Sequence, residues 1–138
     1  MAGYSGTPLA KKLGIDGGAV VSFESAPESF ANALGPLPDS VTVRKTTRGS
    51  RDIIVSFAAR RSALARRIRP LSESIFPTGA LWIAWPKRAS GVETDLTEDA
   101  VRELALPLGL VDNKVCAIDE TWSGLRLVWR RELRGRGR

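Results

Sequence analysis

The sequence predicts an α/β protein of three layers, in which helices cover both faces of a mostly parallel, doubly wound sheet. Short β-branched runs alternate along the chain with segments of helical period, which is typical of this class. Two of the runs, 53–57 and 80–85, are apolar throughout, as strands buried on both faces are. The runs 111–118 and 125–131 alternate and are joined by a short connection, which predicts an antiparallel hairpin. We therefore expect about six strands, closed at one edge by this C-terminal hairpin.

Turn and cap residues define the elements of the first half. Proline at the first helical position and glycine beyond the end predict helices over 7–13 and 27–34, the second capped by Ser25 or Ala26. Apolar and β-branched runs predict strands over 19–23, 41–43 and 53–57.

Two longer helices are predicted in the second half. Ser62 caps the first, whose apolar stripe consists of Leu64, Ile68, Leu71 and Ile75. Pro70 lies inside it and should kink it or split it in two. The second helix follows the strand at 80–85, begins at Asp95 or at Thr97, and ends at Gly109.

The length of 138 residues is that of one domain, which we assign to 1–133. The Arg/Gly-rich segment 134–138 has no apolar residue to bury, so we expect a disordered basic tail. The net charge of +6 is unevenly distributed: residues 44–69 contain nine cations against Asp52, and residues 126–138 contain six arginines against Glu132. This segregation favours association with an anionic small molecule or an acidic macromolecule. Alternatively, the cations form only a solvated helix face and a frayed tail.

The composition excludes several kinds of chemistry. The chain has no histidine and one cysteine, which removes the Ser-His-Asp triad, the Cys-His pair, histidine-bearing zinc sites and an internal disulfide. Cys116 lies in a predicted strand and should be a buried small hydrophobe. We expect no catalytic residue, no metal and no cofactor. The longest apolar run, 80–85, is far too short for a membrane helix, so we expect a cytoplasmic protein.

The order of strands and helices over 17–131, with FPTGALWIAWPK as turn and strand and a terminal hairpin, resembles the class I methyltransferase (Rossmann-like) architecture. One strand–helix unit after 41–43 is missing. The resemblance implies a spatial order for the strands, which is 41–43, 19–23, 53–57, 81–85, 125–131 and 111–118.

A closer resemblance covers nearly the whole chain. The strings GYSGTPLAKKLGI (3–15), ALWIAWPKRASGVETDLTED (80–99) and GLVDNKVCAIDETWSGLRLV (109–128) resemble a family of short bacterial proteins filed as a domain of unknown function. This resemblance implies a small soluble bacterial α/β protein and brings no activity, cofactor or assigned site.

The methyltransferase resemblance can be tested at its cofactor site. In that fold a glycine-rich loop follows the first strand, and an acidic residue that takes the ribose hydroxyls ends the second. Here residues 24–28 contain no glycine, and Arg44 and Lys45 follow the second strand. We therefore expect that S-adenosylmethionine does not bind in its usual pose.

The same rim of the sheet could hold another anion. The helix near Pro27 would direct its positive end towards the strand ends, where we expect Ser25, Arg44, Lys45 and Arg60. Alternatively, Glu24 and Glu28 neutralise these cations and leave an ordinary surface cluster.

A second group of candidates follows the strand at 80–85, at the end where doubly wound folds bind ligands. Lys87 could hold an anion against the backbone of Ser90 and Gly91, with Trp85 beside them. Alternatively, Lys87 caps carbonyl groups or pairs with Glu93 or Asp95. We expect a ligand in a crevice that both groups share.

These observations support a non-catalytic α/β protein that binds an anionic ligand or partner. The alternative is a reduced methyltransferase-like enzyme with an atypical nucleotide site. A nucleic-acid-binding module that uses the arginine tail is a third hypothesis, although no groove-reading motif is present.

Overall fold

The computed structural model describes residues 7–135, which form one six-stranded mixed sheet between two helical layers. The strand order is β2-β1-β3-β4-β6-β5. The strands β1 to β4 run parallel, and β6 is antiparallel to both β4 and β5. This confirms the predicted fold class and the strand order that the methyltransferase resemblance implies. The strands are Val20–Glu24 (β1), Thr42–Val43 (β2), Ile53–Phe57 (β3), Ala80–Pro86 (β4), Leu110–Ala117 (β5) and Trp122–Trp129 (β6).

Two separate cores lie on the two faces of the sheet. On one face, the helices Leu9–Lys12 (α1) and Phe30–Leu34 (α2) pack on alternate residues of the central strands. The longer helices Arg61–Ile75 (α3) and Glu98–Ala105 (α4) cover the other face. Every residue of β4 is buried, which explains why its sequence is apolar throughout. A last short helix, Arg131–Arg134 (α5), follows β6.

The helix predicted over 27–34 is shorter than expected. Only Phe30–Leu34 is helical, and the chain before it forms a turn in which the Phe30 N–H donates to the Pro27 carbonyl oxygen at 3.0 Å. A helix of five residues carries little macrodipole. The expected positive helix end at the rim of the sheet is therefore wrong.

Pro70 does not split α3, which is continuous from Arg61 to Ile75. Pro70 lies on the exposed side of the helix, where the displaced carbonyl of the preceding turn can face water. The predicted apolar stripe is confirmed, because Leu64, Ile68, Leu71 and Ile75 are all buried.

The N-terminal caps of α3 and α4 were both predicted. The cap predicted for α3 is wrong, and one of the two alternatives for α4 is confirmed. The Thr97 hydroxyl accepts a hydrogen bond from the Ala100 N–H at 3.1 Å, so Thr97 and not Asp95 is the N-cap of α4. The cap of α3 is not Ser62. Arg60 occupies the cap position and makes no side-chain hydrogen bond there, while the Asp95 carboxylate accepts from the Arg61 N–H at 2.7 Å.

The predicted basic tail begins inside α5. Arg134 is the last residue of this helix, and its Nε donates to the Trp129 carbonyl oxygen at 2.9 Å. Residues 136–138 of the predicted tail lie outside the described residues. Within 7–135, no helix is long and apolar enough to cross a bilayer, and the longest, α3, has 15 residues.

Candidate functional site

The parallel strands β1, β3 and β4 end at one rim of the sheet, where ligands bind in doubly wound folds. The candidate residues from the sequence fall into two groups at this rim. Trp85, Lys87 and Gly91 line one pocket at the end of β4, which we call the Lys87 pocket. The other group, Ser25, Arg44 and Lys45, follows β1 and β2 and lines no part of that pocket.

The Lys87 pocket has a volume of about 550 Å³, within the range usual for small-molecule sites. Trp85, Val92 and Leu96 give it an apolar wall, Lys87 and Arg88 supply positive charge, and Glu93 and Glu98 supply carboxylates. The remaining residues of the lining are Pro86, Gly91, Thr94, Thr97 and Ser123.

The loop that carries these residues is held to the rest of the rim. The Lys87 N–H donates to the Thr121 carbonyl oxygen at 2.7 Å, which ties the loop to the β5–β6 turn. The Thr94 hydroxyl donates to the Ala59 carbonyl oxygen at 2.5 Å, just after β3. Together with the bond between Asp95 and Arg61, these contacts preorganise the pocket.

Ser90 has a structural role inside this loop. Its hydroxyl donates to the Lys87 carbonyl oxygen at 2.6 Å and accepts from the Val92 N–H at 3.2 Å. Gly91 follows with a φ of 78°, a conformation that favours glycine. Ser90 is not part of the pocket lining. These residues shape the loop around Lys87.

Arg60 lies near the Lys87 pocket and not with Ser25, Arg44 and Lys45. Its Nη2 is 3.9 Å from Glu93 Oε1, and both side chains are largely exposed. An exposed pair at this distance contributes little to stability. The expected pairing of Lys87 with Glu93 or Asp95 is not found among the described residues, since Glu93 pairs with Arg60 and Asp95 accepts from Arg61.

The end of β1 is closed by a polar network that the sequence did not predict. Glu24 Oε2 accepts from Arg67 Nε and Nη2 at 2.9 and 2.6 Å, and Glu24 Oε1 accepts from the Ser56 hydroxyl at 2.8 Å. Arg67 Nη2 also donates to Thr47 Oγ1 at 3.0 Å. The expectation that Glu24 neutralises Arg44, Lys45 or Arg60 is therefore wrong. Within residues 7–135, Arg44 and Lys45 have no carboxylate in ion-pair contact.

The other side of the same rim is filled with aromatic rings. Phe30 of α2 packs edge-to-face against Phe23 and Phe57, with ring centroids 5.1 and 5.0 Å apart. Trp122 continues the row against Phe57 at 5.1 Å. Ser25, the first residue after β1, has a φ of 58°, which is uncommon for a residue with a side chain. The chain therefore changes direction directly after β1.

Neither a family model nor a curated protein sequence matches the chain. Among solved structures, it is similar to magnesium protoporphyrin IX methyltransferase from Synechocystis PCC 6803 with bound SAH. The TM-score is 0.57 at 11% identity, over 88% of this chain and 78% of that one. The similarity to a SAM-dependent methyltransferase from Aquifex aeolicus has a TM-score of 0.58 at 14% identity, over 86% of both chains.

A third similar structure is the fibrillarin of Aeropyrum pernix with natively bound S-adenosyl-L-methionine. Its TM-score is 0.54 at 14% identity, over 87% of this chain and 73% of that one. The chain therefore has the class I methyltransferase type of α/β fold. At these identities the similarity establishes the fold alone. The resemblance to a family of short bacterial proteins stays a prediction.

The residues at the usual cofactor position do not fit S-adenosylmethionine. Ser25, Ala26 and Pro27 follow β1 in place of glycines, so side chains occupy the place where backbone would approach the cofactor. Glu24 is paired with Arg67 on the side of α3. Arg44 and Lys45 follow β2, where an acidic residue would take the ribose hydroxyls.

Proposed function

We propose that the chain is a reduced methyltransferase-like enzyme that binds a nucleotide at an atypical site, the Lys87 pocket. The observation that carries this proposal is the pocket itself, which lies at the carboxyl end of β4 and is lined by lysine, carboxylate and apolar side chains. The similarity of the fold to structures holding SAH or S-adenosyl-L-methionine supports this proposal over a purely non-catalytic role.

The pocket offers one partner for each part of a nucleotide. Lys87 and Arg88 complement a phosphate or carboxylate, since both are positively charged and line the pocket. A Glu93 carboxylate can accept hydrogen bonds from ribose hydroxyls, which is the role an acidic residue has in dinucleotide-binding folds. Val92, 45% exposed, and the edge of Trp85 offer an apolar surface to a base.

Ligand titrations followed by thermal unfolding and calorimetry test this proposal. The ligands are S-adenosylmethionine, S-adenosylhomocysteine, adenosine and ADP, with inorganic phosphate for comparison. A ligand at about 100 times its Kd should raise the stability by about 2.7 kcal/mol. We expect an adenine-containing ligand to bind and Lys87→Gln to weaken it about tenfold, equivalent to about 1.4 kcal/mol.

Lys11→Gln is the matched control, because Lys11 is an exposed cation of α1 on the opposite face of the sheet from α4. It should leave binding unchanged. Binding that is insensitive to Lys87→Gln but lost when Ser25 or Ala26 is enlarged would place the nucleotide at the end of β1 and contradict the proposal.

A second candidate is a non-catalytic protein that binds an anion. The unpaired Arg44 and Lys45, described above, favour it, because they leave uncompensated positive charge at the rim. Binding of inorganic phosphate with no added affinity for adenosine or ADP would favour this second candidate.

A further inference from the structure

Residues 44–50 form most of the loop between β2 and β3. Two of the loop's carbonyl oxygens accept hydrogen bonds from the buried Arg51. Arg51 Nη2 donates to the Thr46 carbonyl oxygen at 2.7 Å, and Nη1 donates to that of Ser50 at 2.9 Å. The loop is therefore wrapped around a guanidinium group.

Two side-chain hydroxyl groups also form hydrogen bonds with backbone carbonyl oxygens of the loop. The Ser22 hydroxyl lies 2.9 Å from the Arg44 carbonyl oxygen and 2.8 Å from that of Thr46, while it accepts from Arg51 Nε at 2.8 Å. The Ser74 hydroxyl of α3 donates to the Thr47 carbonyl oxygen. Four of the seven backbone carbonyl groups in residues 44–50 therefore form hydrogen bonds with the side chains of Ser22, Arg51 or Ser74.

The positive charge of Arg51 is not cancelled locally. Arg51 is only 7% exposed, and all its hydrogen-bond acceptors within 7–135 are neutral oxygens. Burial, followed by repulsion from the nearby Arg44, lowers the pKa of Arg51 from its ordinary value, although an arginine stays charged at neutral pH. The positive charge of Arg51 therefore acts across the loop that covers it and attracts anions there.

The second feature of the loop is a set of backbone N–H groups that have no acceptor among the described residues. Within the described part of the chain, none of the N–H groups of residues 45–50 donates a hydrogen bond to protein. Gly49 has a φ of 81°, the left-handed conformation found where successive amides curve around an anion. The loop therefore combines N–H donors that have no described acceptor with the positive charge of the buried Arg51.

A groove of about 470 Å³ lies between this loop and α3. Arg48 and Arg67 line it together with Thr47, Ser50 and Ser74, and Glu73 contributes one carboxylate. It shares no lining residue with the Lys87 pocket.

We propose that the 44–50 loop and this groove form a second anion site, which binds a phosphate group. The amides of residues 45–50 and the Arg48 guanidinium hold the phosphate oxygens, and the buried Arg51, which binds the carbonyl oxygens of Thr46 and Ser50, acts as a positioning residue for the loop. Free phosphate or pyrophosphate and the terminal phosphate of a nucleotide share this chemistry, and the experiment below distinguishes them. The site is independent of the Lys87 pocket.

Amide chemical shifts measured during titration with inorganic phosphate, pyrophosphate and ADP test the proposal, with sodium chloride at equal ionic strength as the blank. We expect saturable shifts at residues 46–50 that chloride does not produce. Shifts from all three ligands identify the phosphate group itself as the ligand, and shifts from ADP alone identify a nucleotide phosphate.

Three variants, each checked for an unchanged melting temperature, make the test specific. Arg48→Gln should weaken phosphate binding about five- to tenfold, as expected for the loss of one charge-assisted contact in a partly exposed site. Glu73→Gln should strengthen it, because it removes the opposing carboxylate. Arg69→Gln, which changes an exposed cation of the same helix outside the groove, should leave it unchanged.

Shifts that are confined to the Lys87 pocket, or that chloride reproduces, would overturn this inference and leave the proposed function standing. So would equal losses from Arg48→Gln and Arg69→Gln, since these would indicate only diffuse attraction to a basic surface.

Discussion

The Asp95 carboxylate accepts a hydrogen bond at 2.7 Å from the Arg61 N–H, across 34 residues of chain. Asp95 lies in the loop of the Lys87 pocket, and Arg61 is the first residue of α3. One side chain therefore satisfies an amide at the start of a long helix and at the same time holds the pocket loop against the end of β3. The stability of α3 and the order of the pocket are coupled through this contact.

Replacing Asp95 by alanine should lower the free energy of unfolding by about 1 kcal/mol, as the loss of an ordinary helix cap does. The same change should weaken any ligand of the Lys87 pocket, because the loop loses one of its attachments. Urea denaturation and ligand titration measure the two effects. Asp95→Asn keeps an acceptor oxygen and should retain most of the stability; a loss as large as that of alanine would argue against the cap.

Trp82 and Trp85 lie in the same strand but should respond differently to replacement by phenylalanine. The Trp82 indole N–H donates to the Leu13 carbonyl oxygen at 2.9 Å in the core beneath α1, whereas that of Trp85 donates to no described residue. Trp82→Phe should therefore cost about 1–3 kcal/mol more than Trp85→Phe, for the unsatisfied buried carbonyl. Denaturation of both variants measures the difference, and equal losses would contradict it.

Gly79 precedes β4 at a point where no side chain fits. A Cβ atom there would lie 2.5 Å from the Arg51 carbonyl oxygen and 2.9 Å from that of Ile75, both backbone atoms. We expect Gly79→Ala to destabilise the protein by more than about 2 kcal/mol, because displacing the backbone at Arg51 or at Ile75 is energetically costly. Gly135→Ala, which meets no described atom within 4 Å, is the control and should change stability by less than about 0.5 kcal/mol.

Cys116 should react slowly with thiol reagents in the folded protein. Burial raises the pKa of the thiol, and the charges of Lys114 and Lys12 offset this only in part. A raised pKa leaves less thiolate at any pH below it, so the rate at neutral pH falls. The rate–pH profile should have its midpoint above the roughly 8.5 of a free cysteine, and unfolding in urea should restore that value. A midpoint at or below it in the folded state would contradict the prediction.

The sheet was predictable because its strands have distinctive patterns. The apolar runs of β3 and β4 indicated burial on both faces, and alternation in β6 placed Leu125 and Leu127 on one face and Val128 on the other, as the two cores confirm. The length of α2 was not predictable, since Pro27 can open either a helix or a turn and only the packing of Phe30 decides.

The polar contacts of the rim were harder to predict. Arg67 is off the apolar stripe of α3 and looks like an ordinary surface cation, yet it pairs with Glu24, 43 residues away in the chain. Likewise, the sequence suggests Asp95 as the cap of α4, the helix that follows it. In the structure Asp95 instead caps α3, the helix that precedes it. Such contacts depend on which loops meet at the rim, and local sequence does not encode that.

The position of β2 at the edge of the sheet also affects how the protein behaves in concentrated solution. An open edge is a template for pairing between molecules. Here the terminal strand has only two residues and is followed at once by Arg44 and Lys45. A short edge flanked by positive charge is a poor template, so the sheet should resist aggregation along this side.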